Sequence, residues 1–253
     1  DLSLRANADG AAVAGGAPGI AQHEALSVGG HADFILGAGA DPVAAQRGDV
    51  SLERAGNAFG TVSVIAGSAA LRDADGFALT ASDLSGRLTL GGGGVAQAGD
   101  MSLSTTEAAG GAEVLAAGAL SLSDLTLGAA STLESGGDLS ASGLDLGAGA
   151  LTLIAGAGLS ADHVTAGTTR ATGGTGLSLA DSALGDATLT ATTGAARLDR
   201  LTAGALSATS GDAMTVTALD VGAATLAAGT GLDVSALTAD TLAATAGGAL
   251  SVA

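Results

Sequence analysis

The chain has 253 residues, of which 43 are glycine and 47% are apolar, and its formal net charge is −17. All eight basic residues are arginine, and no basic stripe is available to replace the counterions of phosphate, so the composition excludes nucleic acid as a partner. The acidity disfavours anionic membranes, and no apolar run of about 18 residues predicts membrane insertion. Because cysteine is absent, disulfides and thiolate metal sites are excluded.

The region 1–105 contains a long repeat. Leu-Ser-Leu at 2–4 already alternates like a strand. Further on, Gly-Ile-Ala-Gln at 19–22 and Leu-Ser-Val at 26–28 are matched by Gly-Val-Ala-Gln at 94–97 and Met-Ser-Leu at 101–103. The offset is the same for both pairs, about 75 residues, and four coils of about 19 residues would give it. We therefore predict that this super-repeat spans a whole number of coils, so that both of its copies belong to one solenoid.

The region 106–253 repeats more regularly, in coils of about 18–20 residues. Each coil contains a short triplet in which two apolar residues flank a small polar one, which is the periodicity of a strand. The first column of apolar residues comprises Leu120, Leu139, Leu159, Leu177, Ala196, Met214, Leu232 and Leu250. A second column with the same step comprises Leu127, Leu146, Ala166, Leu184, Ala203, Val221 and Ala239.

This spacing predicts an all-β fold, a right-handed parallel β-helix of about 18–20 residues per coil. A three-residue strand cannot stand alone, but stacked coils place equivalent strands about 4.8 Å apart, where each pairs with its neighbours. Unequal sides favour the right-handed form. Glycines precede each first strand, where we expect them to supply positive φ; they include Gly156, Gly194, Gly211 and Gly229.

We predict that residues 1–253 form a single β-helical array of about 13 coils. A strand-like triplet lies at each end, without the polar cap that a solenoid needs for solubility. The sequence is therefore expected to be a fragment of a longer chain. The acidic surface opposes lateral association, so a monomer is expected.

The order of motifs in the region 1–105 resembles the shafts of the filamentous haemagglutinin family, the large exoproteins that two-partner secretion systems export. The most specific part is the segment 57–64, which is followed by 71–79. Family shafts usually read Asn-Asp-Phe where this chain has Asn57, Ala58 and Phe59. The resemblance covers 19–103 closely and the remainder only by coil period.

The resemblance implies a protein of the outer surface of a Gram-negative bacterium, secreted through an outer-membrane transporter. Its expected role is a structural shaft in adhesion, biofilm formation or the presentation of a distal effector. The implied partner is a receptor or matrix on a host or bacterial cell surface. No cofactor and no enzymatic activity are expected.

Two sets of residues are weak candidates for binding sites. Arg47, Gly48 and Asp49 form a tripeptide that offers a cation and a carboxylate to a receptor, although Gly-Asp before a strand recurs at 99–100 and 137–138 and is explained as turn chemistry. Asp162, Asp181 and Asp199 fall three or four positions into successive coils. If they stack, their carboxylates repel one another and could bind Ca²⁺ weakly, unless a cation such as Arg200 compensates.

Two alternative functions remain open. A carbohydrate-active β-helix enzyme would need clustered acidic and basic residues, whereas Asp145 and Asp220 lie in one outward column four coils apart, about 19 Å. An ice-binding or surface-binding solenoid would need an unbroken threonine ladder. The column of Thr126, Thr165, Thr202 and Thr238 is interrupted by Asp145, Ala183 and Asp220.

Overall fold

The computed structural model describes residues 1–6, 19–36, 47–91 and 98–253 and is an all-β parallel solenoid. The chain forms about 10 turns of about 19 residues each, and the described residues contain no helix. None of the described segments is therefore a helix that could cross a membrane. The predicted fold class is confirmed, while the right hand of the helix stays a prediction.

The chain divides into two compact units, 1–133 and 134–253. The strands of the first unit are β1 (Leu2–Ala6), β2 (Ile20–Ala21), β3 (Ser27–Leu36), β4 (Val50–Leu52), β5 (Ala58–Ala66), β6 (Ala69–Leu71), β7 (Ala78–Leu84), β8 (Leu88–Leu90), β9 (Met101–Ala108), β10 (Ala112–Ala116) and β11 (Leu120–Leu127). The boundary falls within β12 (Ser131–Ser135).

Four strands of the second unit have 15 or 16 residues. The strands of this unit are β13 (Leu139–Asp145), β14 (Leu151–Ala155), β15 (Gly158–Ala166), β16 (Thr169–Gly173), β17 (Gly176–Ala191), β18 (Ala196–Ser210), β19 (Met214–Ala228), β20 (Leu232–Ala246) and β21 (Leu250–Val252).

The register of the second unit confirms the predicted columns. Leu177 pairs with Ala196, Ala196 with Met214 and Met214 with Leu232, and all four side chains are buried. Burial alternates along many of the strands because successive residues point to opposite faces of a sheet, as in the buried-and-half-buried pattern of β14. The interior is therefore built from stacked small apolar side chains, each in contact with the turn before and the turn after.

Turns in the first unit differ widely in length. Leu2 pairs with Ala32 and Ala32 with Val62, whereas the turn that brings Val62 to its partner Leu79 is much shorter. Leu79 then pairs with Leu103. Three turns, not four, thus separate Ala32 from Leu103. The expectation that four equal coils span the super-repeat is wrong, because two of these three turns are longer than the regular coil. The motif at 94–97 lies outside the described residues.

Two buried polar side chains organise the first unit beside its three phenylalanines. Asn57, which is 0% exposed, accepts hydrogen bonds from Gln22 Nε2 (2.7 Å) and the Leu26 amide (2.9 Å). Its own amide group donates to Gln22 Oε1 and to the carbonyls of Leu52 and Arg72 at 2.9 to 3.0 Å. Its hydrogen bonds thus join segments that are far apart in the sequence.

Asp73 is the second of these side chains, and its carboxylate accepts the amides of Phe59, Asp75 and Gly76. The ring of Phe59 meets Phe34 and Phe77 edge-to-face, with centroids 6.3 and 6.1 Å apart. This geometry is favourable for aromatic pairs. The segment 57–79 therefore contributes a buried polar and aromatic core to the first unit.

At one corner of the solenoid, successive turns each have a residue with left-handed backbone dihedral angles, and this residue is rarely glycine. The non-glycine residues at this corner have φ between 46° and 54°, a conformation that costs most residues about 1–2 kcal/mol. The corner residues, which recur from turn to turn, are Ala81, Thr105, Asp124, Gly143, His163, Asp181, Arg200, Ala218 and Ala236. In three turns the next residue is an inward Ser or Thr that donates across the corner, as Ser182 Oγ does to the Ala180 carbonyl at 2.6 Å.

Replacing Ala218 with glycine is expected to stabilise the second unit by about 0.5–1 kcal/mol, because the removal of left-handed strain outweighs the larger chain entropy that glycine loses on folding. Urea unfolding would measure this gain. Gly143 to Ala is the matched reverse change and should destabilise the unit. If both variants lost stability, the corner strain would not be real.

The glycines before the first strands have a role other than the predicted one. Gly156, Gly194 and Gly229 do not have positive φ. A Cβ added at each would instead collide with a backbone carbonyl of the preceding turn, that of Gly136, Thr175 or Gly211. The expectation of positive φ at these positions is wrong, because what requires glycine there is the close approach of two backbones.

Thr169 is an inward residue whose hydroxyl has no partner among the described residues. It stacks between Leu151 and Ala187 and is 2% exposed. Thr169 to Val is expected to stabilise the protein by about 1–2 kcal/mol, because valine has the same shape and leaves no unsatisfied hydroxyl. Thermal unfolding would measure this gain, and an unchanged or lower melting temperature would indicate that the hydroxyl is satisfied in solution.

Candidate functional site

The tripeptide of Arg47, Gly48 and Asp49 is held against neighbouring turns. Arg47 donates two hydrogen bonds of 2.7 Å to the carboxylate of Asp83, and its side chain is only 7% exposed. Asp49 accepts the Ser68 amide at 2.7 Å. The hydrogen bond from Arg47 lowers the pKa of Asp83, more than partial burial raises it. The cation that a receptor would recognise is therefore committed to an internal ion pair.

Several other aspartates make the same contact as Asp49. Their carboxylates accept a backbone amide from the following turn at 2.8 to 3.1 Å. Turn chemistry predicts aspartates bonded to their own backbone, as Asp145 is to the Gly147 amide. The pairs that join two turns are Asp100 with Ala119, Asp138 with Gly158, and Asp186 with Ala205. These carboxylates thus help to join consecutive turns.

The three candidate calcium ligands do not stack as predicted. Asp162 pairs in register with Ala180, and Ala180 pairs with Asp199, so the two carboxylates are two turns apart with an alanine in the turn between them. Asp181 lies one residue further on, at the left-handed corner. The expectation of three stacked carboxylates is wrong. The described residues also contain no group of three or more His, Cys, Asp or Glu side chains that could hold a metal ion.

The corner is instead a network of paired charges. Arg200 donates to both oxygens of Asp181, at 2.5 and 2.7 Å, and to Asp199 at 2.7 Å. His163 contacts Asp162 through Nδ1 at 2.7 Å. The pKa of Asp181 is lowered, chiefly by its hydrogen bond with Arg200, which outweighs the desolvation that raises it, and the charges of Arg200 and His163 lower it further. Asp181 in turn raises the pKa of Arg200.

Acid should weaken this corner in a predictable direction. Because the folded-state pKa of Asp181 lies below that of the unfolded chain, the contact stabilises the fold above about pH 3.9, and the stabilisation is lost as the pH falls through the lowered value. Carboxyl NMR titration should show a midpoint for Asp181 below about 3.9. Arg200 to Gln should raise this midpoint. Arg197 pairs with Asp199 at 3.9 Å, so Arg197 to Gln should leave the midpoint of Asp181 unchanged.

The outward threonine column lies where the sequence predicts it. Thr165 pairs with Ala183, Ala183 with Thr202, Thr202 with Asp220 and Asp220 with Thr238. The register therefore confirms that this column is interrupted. It also confirms that Asp145, which pairs with Thr165, is four turns from Asp220.

A groove of about 490 Å³ crosses the beginnings of β13, β15 and β17 in the second unit. Gly158 and Gly176 are paired in register and line it. Asp138 and Ala195 occupy the equivalent positions in the turns before and after. Beside them runs a ladder of outward hydroxyls, from Ser140, Ser160 and Ser178. The sequence does not reveal this groove, because glycine and serine are common throughout the chain and do not mark a concave surface.

Neither family models, nor curated proteins, nor solved structures give a match to this chain. The parallel solenoid is therefore established by the strand register alone.

Proposed function

We propose that this chain is a shaft segment of a secreted exoprotein displayed on the surface of a Gram-negative bacterium, where it mediates adhesion or presents a distal effector. The observation that supports this role is the use of charged side chains to join adjacent turns. Asp49, Asp100, Asp138 and Asp186 each bond a backbone amide one turn further on. The ion pairs of Arg47 and Arg200 also connect different turns.

Such a stack is suited to bearing a load. Each of the longest strands of the second unit pairs with the next one along nearly its whole length, so bending one turn away from its neighbour breaks many hydrogen bonds together. Stability is nearly a sum of nearest-neighbour terms in repeat proteins. A segment of this kind can be lengthened or shortened by whole turns while the remaining contacts are kept.

Removal of whole turns tests the proposal. Deleting 197–214 joins Ala196 to Thr215, so that Ala196 takes the place that Met214 otherwise occupies in the register. The experiment displays the chain on bacteria with a C-terminal epitope and measures capture by antibody-coated beads. In-register deletion of one and then two turns should preserve folding and reduce capture in steps, whereas deleting half a turn, 197–205, should prevent folding. Capture that did not depend on the number of turns would contradict the spacer role.

In this role, the partners of the chain are an outer-membrane transporter during secretion and a receptor or matrix on the opposing cell. A cell-binding assay with the isolated chain separates the two forms of the proposal. Binding to cells indicates that the shaft itself is adhesive, and absence of binding indicates that it positions another module.

A further inference from the structure

The groove of the second unit is lined by two glycines, and at one of them, Gly176, the chain path leaves room for a side chain. Neither Gly158 nor Gly176 has positive φ, and a Cβ would come no closer than 3.2 Å to the Asp138 carboxylate or 3.5 Å to the Ala195 carbonyl. Gly156 lies only two positions before Gly158, yet its Cβ would collide with the backbone of the preceding turn. Packing therefore explains Gly156, and at Gly158 a Cβ would crowd the Asp138 carboxylate that accepts its amide. The effect of Gly176 is to keep the groove open.

The polar groups that the groove offers are hydroxyls. Ser140 and Ser160 are exposed and Ser178 is half-buried, and none of the three has a side-chain hydrogen bond among the described residues. They repeat at the spacing of adjacent turns, about 4.8 Å. The strand amides and carbonyls beside them already pair with neighbouring turns. A peptide could not add to this sheet as a strand here, so a ligand must be recognised by side-chain hydroxyls and shape.

We propose that this groove binds a neutral, extended polysaccharide whose chain runs in the direction in which the turns stack. A β-linked pyranose chain advances by about one turn spacing per sugar, so successive sugar hydroxyls can meet successive serines. The apolar parts of the lining suit the C–H faces of the rings. The only charged lining residue is Asp138, and the chain carries a net charge of −17, which together disfavour an acidic glycan. The volume of about 490 Å³ lies within the range of ligand sites.

Binding by this groove rests on the proposed function in one respect: display on the cell surface determines where the protein would encounter the polysaccharide. Affinity electrophoresis of the whole chain in gels that contain soluble β-glucan, xylan or galactomannan would test it, with a polygalacturonate gel as the acidic comparison. We expect retarded migration in at least one neutral gel. The double variant Ser160→Ala, Ser178→Ala should bind about tenfold more weakly, the loss expected for two neutral hydrogen bonds.

Gly176→Leu fills the groove at a position where the backbone tolerates a side chain and should abolish retardation. Thr215→Leu is the control, since Thr215 lies on the same outward ladder two turns beyond Ser178. Circular dichroism confirms that each variant is folded. Three results would overturn the proposal: no retardation in any neutral gel, retardation in polygalacturonate alone, or equal retardation of the wild type and both groove variants. Each of them leaves the turn-deletion test of the shaft unaffected.

Discussion

Gly194 to Ala is expected to destabilise the second unit by about 2–4 kcal/mol, more than ordinary overpacking costs. A Cβ at this position would lie well inside the contact distance of the Thr175 carbonyl oxygen in the preceding turn. Because the atom in its way belongs to a backbone held in a paired sheet, relief requires two turns to separate. Urea unfolding followed by circular dichroism would measure the loss, with hydrogen exchange to locate it at 173–196.

Gly176 to Ala is the matched control, since the two glycines lie in consecutive turns and both are half-buried. The nearest atom to a Cβ at Gly176 is 3.5 Å away, and Ala195 occupies the equivalent position of the next turn. This substitution should change the free energy of unfolding by less than about 0.5 kcal/mol. Equal losses from the two variants would show that the turns are spaced differently from the described structure.

Asn57 to Ala is expected to cost about 3–4 kcal/mol in the first unit. The side chain is fully buried and makes five hydrogen bonds, so its removal takes a partner from the Leu26 amide and from the Arg72 carbonyl. The Leu52 carbonyl also loses a hydrogen bond but still accepts the Arg72 amide. Each buried polar group left unsatisfied costs about 1–3 kcal/mol, partly offset where water can enter. Urea unfolding would measure the loss, and amide exchange at 26 and at 57–59 should accelerate.

Gln22 to Ala is the comparison, because Gln22 shares two of these hydrogen bonds but is more exposed. In the variant, water can take the place of the Gln22 side chain as a hydrogen-bond partner. The expected loss in the free energy of unfolding is therefore about 1 kcal/mol. If Asn57 to Ala destabilised the unit no more than Gln22 to Ala does, the buried amide would not organise this part of the fold.

The columns of the second unit could be predicted because each turn repeats an apolar residue at nearly constant spacing. Leu177, Ala196, Met214 and Leu232 differ in size but share one position, and a period of about 19 residues fits only a stack of coils. The first unit was predicted less well. Its early turns differ in length, as the pairs of Ala32 with Val62 and Val62 with Leu79 show, and sequence spacing does not tell where a long turn rejoins the stack.

The corner could not be predicted, because its residues carry no common signal. Left-handed backbone usually indicates glycine, yet this corner uses Asp181, Arg200 and Ala218. A difference of one position in the coil decides which side chains meet. Asp162 and Asp199 are three positions into their coils and Asp181 is four, which places Asp181 beside Arg200 and not in line with the other carboxylates. Aligning the coils to the exact residue would have been needed to find the ion pair.

Most of the aspartate contacts between turns have the same direction. Asp49 bonds the amide of Ser68, Asp100 that of Ala119, Asp138 that of Gly158 and Asp186 that of Ala205, so in these four contacts the carboxylate belongs to the earlier turn. Asp73 is different, because its carboxylate accepts the Phe59 amide from the turn before it. Once a turn has folded, its aspartate carboxylate is therefore available to accept a backbone amide of the next turn as that turn folds. A chain that emerges with its N-terminus first meets a prepared template at each step, and growth of the solenoid from that end is favoured over growth from the other.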